Sequence, residues 1–496
     1  MVPKISNAML FNSYVFLFAF LPIALVGFFV LGGRELNRAA AAWLIGASLF
    51  FYGWWNPVYL PLIIGSVVFN YWAGVMIANA VSTGRSRRAR RLLWVGVSAN
   101  LVLLGYCKYA NFLVENANAL LGTHWHLDTI ALPLAISFFT FTQIAYLTDA
   151  FHGVTKNYDF LYYSLFVTFF PHLIAGPIVL YRKLMPQFAR PVTYRFNPSN
   201  FAYGLTLSMM GLAKKVVIAD QLAPVADHVF GCAAHGVSIG AVTAWVGAVA
   251  YSLQLYFDFS GYSDMAIGFA RMFNTTFPVN FDSPYKARDI IDFWRRWHIT
   301  LSTFLRDHLY IPLGGNRCGS LQRYKNLFVT MLLGGLWHGA GWTFVIWGGL
   351  HGLYLIVNHA WLHLAKSREW TATWPMKTGG YLLTLIAIIV GWVFFRAGTV
   401  TNALSMISAM AGLRGGMEGH VITSQRAAML SLSALIALFA PNTNELFRLG
   451  EPARETFDQP KPLWILSPLT ALITAFVTVV AVLHLSHISG FLYFQF

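Results

Sequence analysis

The chain has 496 residues, of which 57% are hydrophobic and only 11% are charged. Soluble proteins usually carry about 25% charged residues, so this composition excludes an ordinary soluble enzyme, a disordered chain and a secreted disulfide scaffold. The net charge of +15 does not indicate nucleic-acid binding, because the basic residues lie in short loops between apolar segments. That distribution is typical of positive-inside membrane topology. We therefore predict a polytopic membrane protein.

Apolar segments long enough to cross a bilayer recur along the whole chain. The first runs from Tyr14 to Leu31 and lacks a small-residue cleavage motif, so we predict a retained span. Further predicted spans lie at 39–55, 58–80, 92–113, 129–150, 160–181, 200–220, 238–257, 324–364 (two spans), 379–398, 427–441 and 464–489. The predicted fold class is all-α, with about 11–13 membrane segments in a single integral membrane domain over 1–496.

The loops between these segments suggest an orientation. Arg85, Arg87, Arg88, Arg90 and Arg91 form the most basic short loop, which should face the cytoplasm and places the N-terminus outside. The basic loop at 181–195 then falls outside unless one intervening segment dips and returns. Because Pro171 and Gly176-Pro177 interrupt segment 160–181, we predict that this segment is re-entrant.

Two acidic residues, Asp258 and Asp264, lie within the otherwise membrane-like stretch 251–268. A charge at that depth costs a few kcal/mol, so each carboxylate should face protein or water and is a candidate functional group. The alternative is a structural helix break, in which serines satisfy freed backbone groups and the acids pair with arginine. Both interpretations stay open at this point.

The segment 289–309 shows helical periodicity, with Trp294, His298 and Ser302 recurring at one-turn steps. Its charged residues make a lipid-exposed span improbable, and a buried re-entrant or interfacial helix fits better. A continuous helix would place the His298 ring on its aromatic side. Such a histidine is either a packed, hydrogen-bonded core residue or a catalytic or substrate-binding group.

A second histidine, His338, follows an apolar run and is surrounded by Gly334-Gly335 and Gly339. Glycines allow close backbone approach and expose the ring to a narrow ligand, and burial keeps an imidazole neutral, which is the form a general base needs. The alternative is a helix-packing motif of small residues with the histidine bonded to a carbonyl.

Other kinds of site are not indicated. The sequence contains no nucleophile elbow, P-loop, dinucleotide fingerprint or HExxH motif, which argues against a serine hydrolase, an ATP-driven pump and a zinc protease. No metal site is predicted, and the cysteines Cys107, Cys232 and Cys318 form no CxxC pair.

Three stretches together carry a family resemblance: FDFSGYSDMAIG at 257–268, FWRRWHITLSTFLRDHLYIPLGGNR at 293–317 and NLFVTMLLGGLWHGAGWTFVIWGGLHG at 326–352. FPHLIAGPI at 170–178 and WVFFRA at 392–397 fit the same pattern. The chain resembles the membrane-bound O-acyltransferase family, and within it the bacterial alginate O-acetyltransferases and related polysaccharide acetyltransferases. The core motifs lie in 170–352.

The resemblance implies a ring of spans around a central funnel, and transfer of an acyl group from a thioester to a hydroxyl. By motif, His338 is implied as the catalytic base, and His298 as a second catalytic residue that orients a substrate. Asp258, Asp264, Arg295 and Arg296 are implied to shape the channel, and the two arginines alternatively to bind donor phosphates. Trp294 and Trp337 complete the predicted substrate-binding set.

The same resemblance implies a place and partners for the reaction. The protein is expected in the bacterial inner membrane, with no tightly bound cofactor and with acetyl-CoA or another acyl thioester as the donor substrate. The expected partners are membrane lipid, an exported alginate-like polysaccharide, a periplasmic acetyl-accepting protein and an acyl carrier protein, without nucleic acid. D-alanyl or other acyl transfer to a cell-wall polymer is one alternative. A proton-coupled transporter is an alternative of a different class.

Overall fold

The computed structural model describes residues 9–154, 159–317, 319–368, 373–416, 423–447, 449, 467–486 and 490–492. Within these ranges the regular elements are helices and no extended strand is present, which confirms the predicted all-α class. Cys318, one of the three cysteines that form no CxxC pair, lies outside the described residues.

Most helices are α-helices, and π-helical and 3₁₀ turns interrupt or extend several of them. In the first half of the chain the α-helices are α1 (Leu21–Gly33), α2 (Asn37–Trp55), α3 (Leu60–Ser82), α4 (Ser86–Leu121), α5 (Ile136–Phe151), α6 (Phe160–Thr168), α7 (Phe170–Leu173), α8 (Tyr181–Phe188), α9 (Pro198–Ala213), α10 (Asp220–Ala234) and α11 (Ala241–Met272). The later ones are α12 (Ile290–Arg296), α13 (Ile299–Leu305), α14 (Ser320–His338), α15 (Trp342–Ser367), α16 (Trp374–Arg396), α17 (Val400–Met410), α18 (Ser424–Phe439), α19 (Thr443–Phe447) and α20 (Pro468–Leu483). The π-helices are Phe16–Phe20, Lys214–Ala219 and Arg306–Tyr310. The 3₁₀-helices are Pro57–Tyr59, Pro191–Tyr194, Pro284–Lys286 and His484–Ser486.

Five helical segments of the described chain are long and apolar enough to cross a membrane. They are Phe16–Gly33, Pro57–Ser82, Ser86–Leu121, Pro198–Ala234 and Trp374–Arg396. The apolar helices α17, α18 and α20 are shorter. These lengths and compositions agree with a polytopic membrane protein, and the total number of crossings stays a prediction.

The chain forms two compact units. The first comprises Met1–Leu212, Tyr262–Pro278 and Leu466–Phe494, and the second comprises Ala213–Gly261, Val279–Ile465 and Gln495–Phe496. His298 and His338 both belong to the second unit, as do Asp258, Arg295 and Arg296, whereas Asp264 belongs to the first. The prediction of a single domain over 1–496 is not tested by this division.

In the first unit, the proline and glycine residues of segment 160–181 break the helix as the sequence predicts. Helix α6 ends at Thr168, and α7 is a single short turn that begins with Phe170-Pro171. At Gly176 an added Cβ would lie 2.5 Å from the Cα of His172, so the backbone turns tightly between these two residues, and the re-entrant course of the segment stays a prediction. This closeness requires glycine at the turn.

In the second unit, the predicted continuous helix over 289–309 is wrong. The structure has two short helices, α12 and α13, separated at Trp297 and His298. The Asp289 carboxylate starts α12 by accepting from the backbone N–H groups of Ile291 and Asp292, both at 2.9 Å. His298 then adopts a left-handed backbone with φ 42°, which ends the helical repeat and re-aims its side chain.

Helices α14 and α15 form a hairpin that carries the second motif histidine. An added Cβ at Gly348 of α15 would lie 2.5 Å from the carbonyl oxygen of Met331 on α14, so only glycine permits this close approach. His338 is the last residue of α14, and Trp342 begins α15. The tight hairpin therefore places the aromatic side chains of α15 beside the end of α14.

Candidate active site

His298 lies in a fully enclosed aromatic pocket of the second unit. Its side chain is 0% exposed, and its ring meets Phe259 edge-on at 4.8 Å between centroids. Phe281 and Trp337 approach with centroids 6.4 and 6.3 Å away. His298 lies outside the five membrane-length segments, and burial lowers its pKa to about 3. The imidazole is therefore neutral at physiological pH, as a group that accepts a proton or hydrogen bond must be.

Asn280 holds His298 through both its side chain and its backbone. The Nδ1 atom of His298 lies 3.1 Å from Oδ1 of Asn280, and the Asn280 carbonyl accepts from the Ile299 N–H at 2.9 Å. The same Oδ1 accepts from the Thr300 hydroxyl at 2.9 Å. Asn280 is 1% exposed, so these bonds are made away from solvent. The left-handed turn at His298 is thus fixed by a loop that precedes α12.

His338 is joined to His298 through Trp337. The ring centroids of Trp337 and His338 are 5.0 Å apart, and His338 is 5% exposed. On its other sides the His338 ring meets Trp347 and Phe395, each at 5.1 Å. The structure therefore brings both predicted catalytic histidines into one aromatic cluster, with the predicted Trp337 between them.

A third buried histidine, His351, continues this cluster and was not singled out from the sequence. It lies one turn after Trp347 on α15, with ring centroids 4.8 Å apart, and it is 0% exposed. Trp294 meets the His351 ring edge-on at 5.3 Å. Thus Trp294 packs on His351 and Trp347, and the predicted helical stacking of Trp294 under His298 is wrong because α12 ends between them.

Asp258 is part of a buried ion cluster with a lysine. Lys215 Nζ lies 2.5 Å from Oδ1 of Asp258 and 2.8 Å from Oδ1 of Asp220. Lys215 lies in the π-helix Lys214–Ala219, a local distortion that often marks functional sites. Of the two open interpretations, the geometry favours a structural ion pair for Asp258, with lysine rather than arginine as the partner. The predicted helix break is wrong, because α11 runs unbroken through Asp258 and Asp264. Asp264 is buried in the first unit at 5% exposure.

The two arginines of α12 differ in their surroundings. Arg296 donates through Nε to Asp292 at 2.9 Å and through Nη1 to the Asp282 carbonyl at 3.2 Å. It therefore braces the loop that carries Asn280. Arg295 is exposed, so of the two its guanidinium is the better placed to meet a charged donor. The predicted substrate-binding roles of Asp258, Asp264, Arg295, Arg296, Trp294 and Trp337 stay predictions.

Sequence reasoning missed Asn280, Lys215 and His351. The motif GLHG offered a signal for His351, because a histidine nine residues into an aromatic, glycine-rich helix is rare in membrane-like sequence. Asn280 and Lys215 gave no such signal, since their roles depend on contacts between segments far apart in the chain. Within the described residues, no cluster of three or more metal-ligating side chains is present.

Comparison with known proteins identifies the family of the chain. The model of the membrane-bound O-acyltransferase family matches residues 91–406, which include both motif histidines. The chain belongs to the membrane-bound O-acyltransferase family. Membership makes it an O-acyltransferase, and the transporter alternative is not supported.

Among relatives within this O-acyltransferase family, a peptidoglycan O-acetyltransferase of Helicobacter pylori is 46% identical over 441 residues, covering 83% of this chain and 82% of its own length. A probable alginate O-acetylase AlgI of Pseudomonas putida is 41% identical over 507 residues, covering 98% of this chain and all (100%) of its own. A teichoic acid D-alanyltransferase of Streptococcus thermophilus is 27% identical over 290 residues, covering 53% and 68% of the two chains. All three relatives are bacterial.

Proposed function

We propose that this O-acyltransferase acts in a bacterial inner membrane and moves an acetyl group from a thioester donor towards hydroxyls of an exported polysaccharide. The arrangement of His298, Trp337 and His338 in one buried cluster is the observation that supports it most directly. The 46% identity to a peptidoglycan O-acetyltransferase and 41% identity to a probable alginate O-acetylase support acetyl as the group and a polysaccharide as the acceptor.

The proposed reaction needs one base and no covalent enzyme intermediate. The acceptor hydroxyl oxygen attacks the thioester carbonyl carbon, and the neutral imidazole of His338 takes the hydroxyl proton. The new C–O bond forms, the C–S bond breaks, and the proton passes from His338 to the leaving thiolate. His298 orients one of the reacting groups, and the exposed Arg295 is suited to an anionic donor such as acetyl-CoA.

In this proposal the direct acceptor of the acetyl group is an intermediate carrier. We propose that the acetyl group passes to a periplasmic partner protein, which then modifies the polymer. Acetyl-CoA or an acyl carrier protein supplies the group on the cytoplasmic side. Transfer of labelled acetyl to alginate, to peptidoglycan or to another glycan identifies the final acceptor.

The test compares the wild-type protein, His338→Gln and His126→Gln in transfer of labelled acetyl from acetyl-CoA, with candidate oligosaccharides and periplasmic fractions as acceptors. His126 is a matched control because its side chain is 87% exposed in a loop. Loss of a general base costs roughly 10²- to 10⁴-fold, so His338→Gln should lose that much activity and His126→Gln none. Retained transfer by a folded His338→Gln protein would contradict the proposal.

One competing activity has specific support. The similarity to a teichoic acid D-alanyltransferase makes D-alanyl transfer from a charged carrier protein the second candidate. Activity with D-alanyl carrier protein and none with acetyl-CoA would favour it. Activity with acetyl-CoA alone would favour acetyl transfer.

A further inference from the structure

The carboxamide of Asn280 determines which nitrogen of His298 carries the hydrogen. Three groups approach Oδ1 of Asn280: the Thr300 backbone N–H at 3.3 Å, the Thr300 hydroxyl at 2.9 Å and Nδ1 of His298 at 3.1 Å. A backbone N–H can only donate, so the atom it meets must be the carboxamide oxygen rather than the amide nitrogen. An oxygen that accepts these bonds requires a hydrogen on Nδ1 of His298.

The position of that hydrogen settles the chemistry of the opposite nitrogen. A neutral imidazole has one N–H and one lone pair, so a hydrogen on Nδ1 leaves the lone pair on Nε2. Burial keeps the ring in this neutral form. Nε2 can then accept a hydrogen bond but cannot donate one.

We propose that Asn280 is a positioning residue that holds His298 as the Nδ1–H tautomer, so that Nε2 accepts a hydrogen bond from a second O–H of the acceptor substrate, beside the attacking hydroxyl, rather than binding the thioester carbonyl. The inference rests on the proposed acyl transfer and deepens it. A thioester carbonyl needs a hydrogen-bond donor, which Nε2 is not, whereas a further hydroxyl of the acceptor offers a hydrogen and leaves the proton of the attacking hydroxyl for His338. His298 therefore binds the hydroxyl-bearing acceptor, and Asn280 acts only through His298.

Local geometry allows little freedom for another arrangement. The rings of Phe259 from α11, Phe281 from the preceding loop and Trp337 from α14 contact the imidazole, and all three are uncharged. The backbone bond from Ile299 to the Asn280 carbonyl prevents the loop from sliding along α13. A ring flip would place Cδ2 against Oδ1 in place of Nδ1 and would remove the hydrogen bond between His298 and Asn280.

The first test reads the tautomer without reference to activity. ¹⁵N-histidine-labelled protein in detergent or nanodiscs is compared with His298→Gln to identify the His298 signals, because protonated and lone-pair ring nitrogens differ strongly in ¹⁵N shift. We expect a proton on Nδ1 in the wild type and a mixture of tautomers in Asn280→Leu. A proton on Nε2 of the wild type would overturn the inference, even if the protein transferred acetyl as proposed.

The second test separates acceptor from donor binding by steady-state kinetics. Asn280→Leu removes the acceptor atom while retaining similar volume, and loss of one hydrogen bond should lower kcat/KM for the acceptor about tenfold with the donor KM unchanged. Asn280→Asp retains an oxygen for all three donors. Its negative charge favours the imidazolium, so the acid limb of the acceptor kcat/KM profile should move to higher pH.

A matched variant distinguishes positioning from simple destabilisation. Asn100 is 3% exposed and hydrogen-bonded to Asn70, so Asn100→Leu also removes a buried carboxamide, but in the first unit. We expect Asn100→Leu to lower the unfolding temperature and leave the acceptor kcat/KM unchanged. A rise in donor KM in Asn280→Leu, an unshifted pH profile in Asn280→Asp, or the same kinetic defect in Asn100→Leu would overturn the inference. Absence of transfer by the wild type would contradict the proposed function, and the tautomer measurement would still decide the role of Asn280.

Discussion

The pockets of His298 and His351 are alike in burial and differ in polar contacts. Both imidazoles are 0% exposed and surrounded by aromatic rings. Nδ1 of His298 has the Asn280 carboxamide as a partner, whereas neither ring nitrogen of His351 has a hydrogen-bond partner among the described residues. An aromatic enclosure therefore excludes water from an imidazole without orienting it, and orientation requires a directional polar neighbour.

The largest expected effect comes from making the same substitution in both pockets. His298→Leu should lower acetyl transfer by about a hundredfold or more, because it removes an oriented hydrogen-bond acceptor next to the reacting groups. His351→Leu removes a ring that lacks such orientation and should lower it less than about tenfold. Initial rates of acetyl transfer at saturating donor concentration measure the effect of each substitution.

Equal losses of acetyl transfer in His298→Leu and His351→Leu would contradict the distinction between the two pockets. Such a result would show that His351 also touches a substrate, and that aromatic packing alone suffices to place a working imidazole.

The next prediction concerns pH. Because the folded pKa of His298 is lowered by burial to about 3, its contribution to stability is full above the unfolded value near 6.5 and is lost as pH falls towards 3. One proton taken up only by the unfolded chain weakens stability by about 1.4 kcal/mol per pH unit, or about 2 kcal/mol between pH 6.5 and 5. The thermal unfolding temperature of the wild type should therefore fall more steeply between pH 6.5 and 5 than that of His298→Leu. Parallel curves for the two proteins would show that His298 is not buried as a neutral ring.

A smaller effect is expected behind His351. An added Cβ at Gly391 of α16 would lie 2.9 Å from Nε2 of His351 and 3.6 Å from Cδ1 of Trp347. Since the enclosed His351 ring has little room to move, Gly391→Ala should destabilise the protein by about 1–2 kcal/mol. Gly379→Ala on the same helix is the control, because its Cβ would meet nothing within 4 Å. That variant should be neutral or slightly stabilising, and a thermal shift assay that ranks the two variants the other way would contradict the packing described for His351.

The smallest effect is expected at the loop that carries Asn280. Asn442 donates to Oδ1 of Asp282 and to the Ser283 hydroxyl, both at 2.8 Å, and so steadies this loop from the segment before α19. Asn442→Ala should cost about 1 kcal/mol and raise the acceptor KM a few fold, because the loop then holds Asn280 less firmly. Asn402→Ala, on α17, is the control and should leave the acceptor KM unchanged. An unchanged acceptor KM in Asn442→Ala would show that this loop does not affect the orientation of His298.

The sequence predicted the class of fold, because apolar length and charge depletion are local properties, and its motifs singled out the two histidines that the structure brings into one aromatic cluster. It also predicted the break near Pro171, since proline and glycine act on their own backbone. It failed at 289–309, where the apolar repeat is helical in period but His298 adopts a left-handed conformation set by Asn280. Lys215 was likewise missed as the partner of Asp258, since a charge pair between distant helices leaves no periodic signal.

The left-handed backbone at His298 has a consequence for how this site could be lost. Residues with a Cβ adopt that conformation at a cost, and glycine and asparagine tolerate it best. Replacement of His298 by glycine or asparagine should therefore strain the main chain less than replacement by alanine. The imidazole at this position is thus carried by a backbone conformation that a residue with a Cβ adopts at a cost, and the hydrogen bonds to Asn280 fix that conformation.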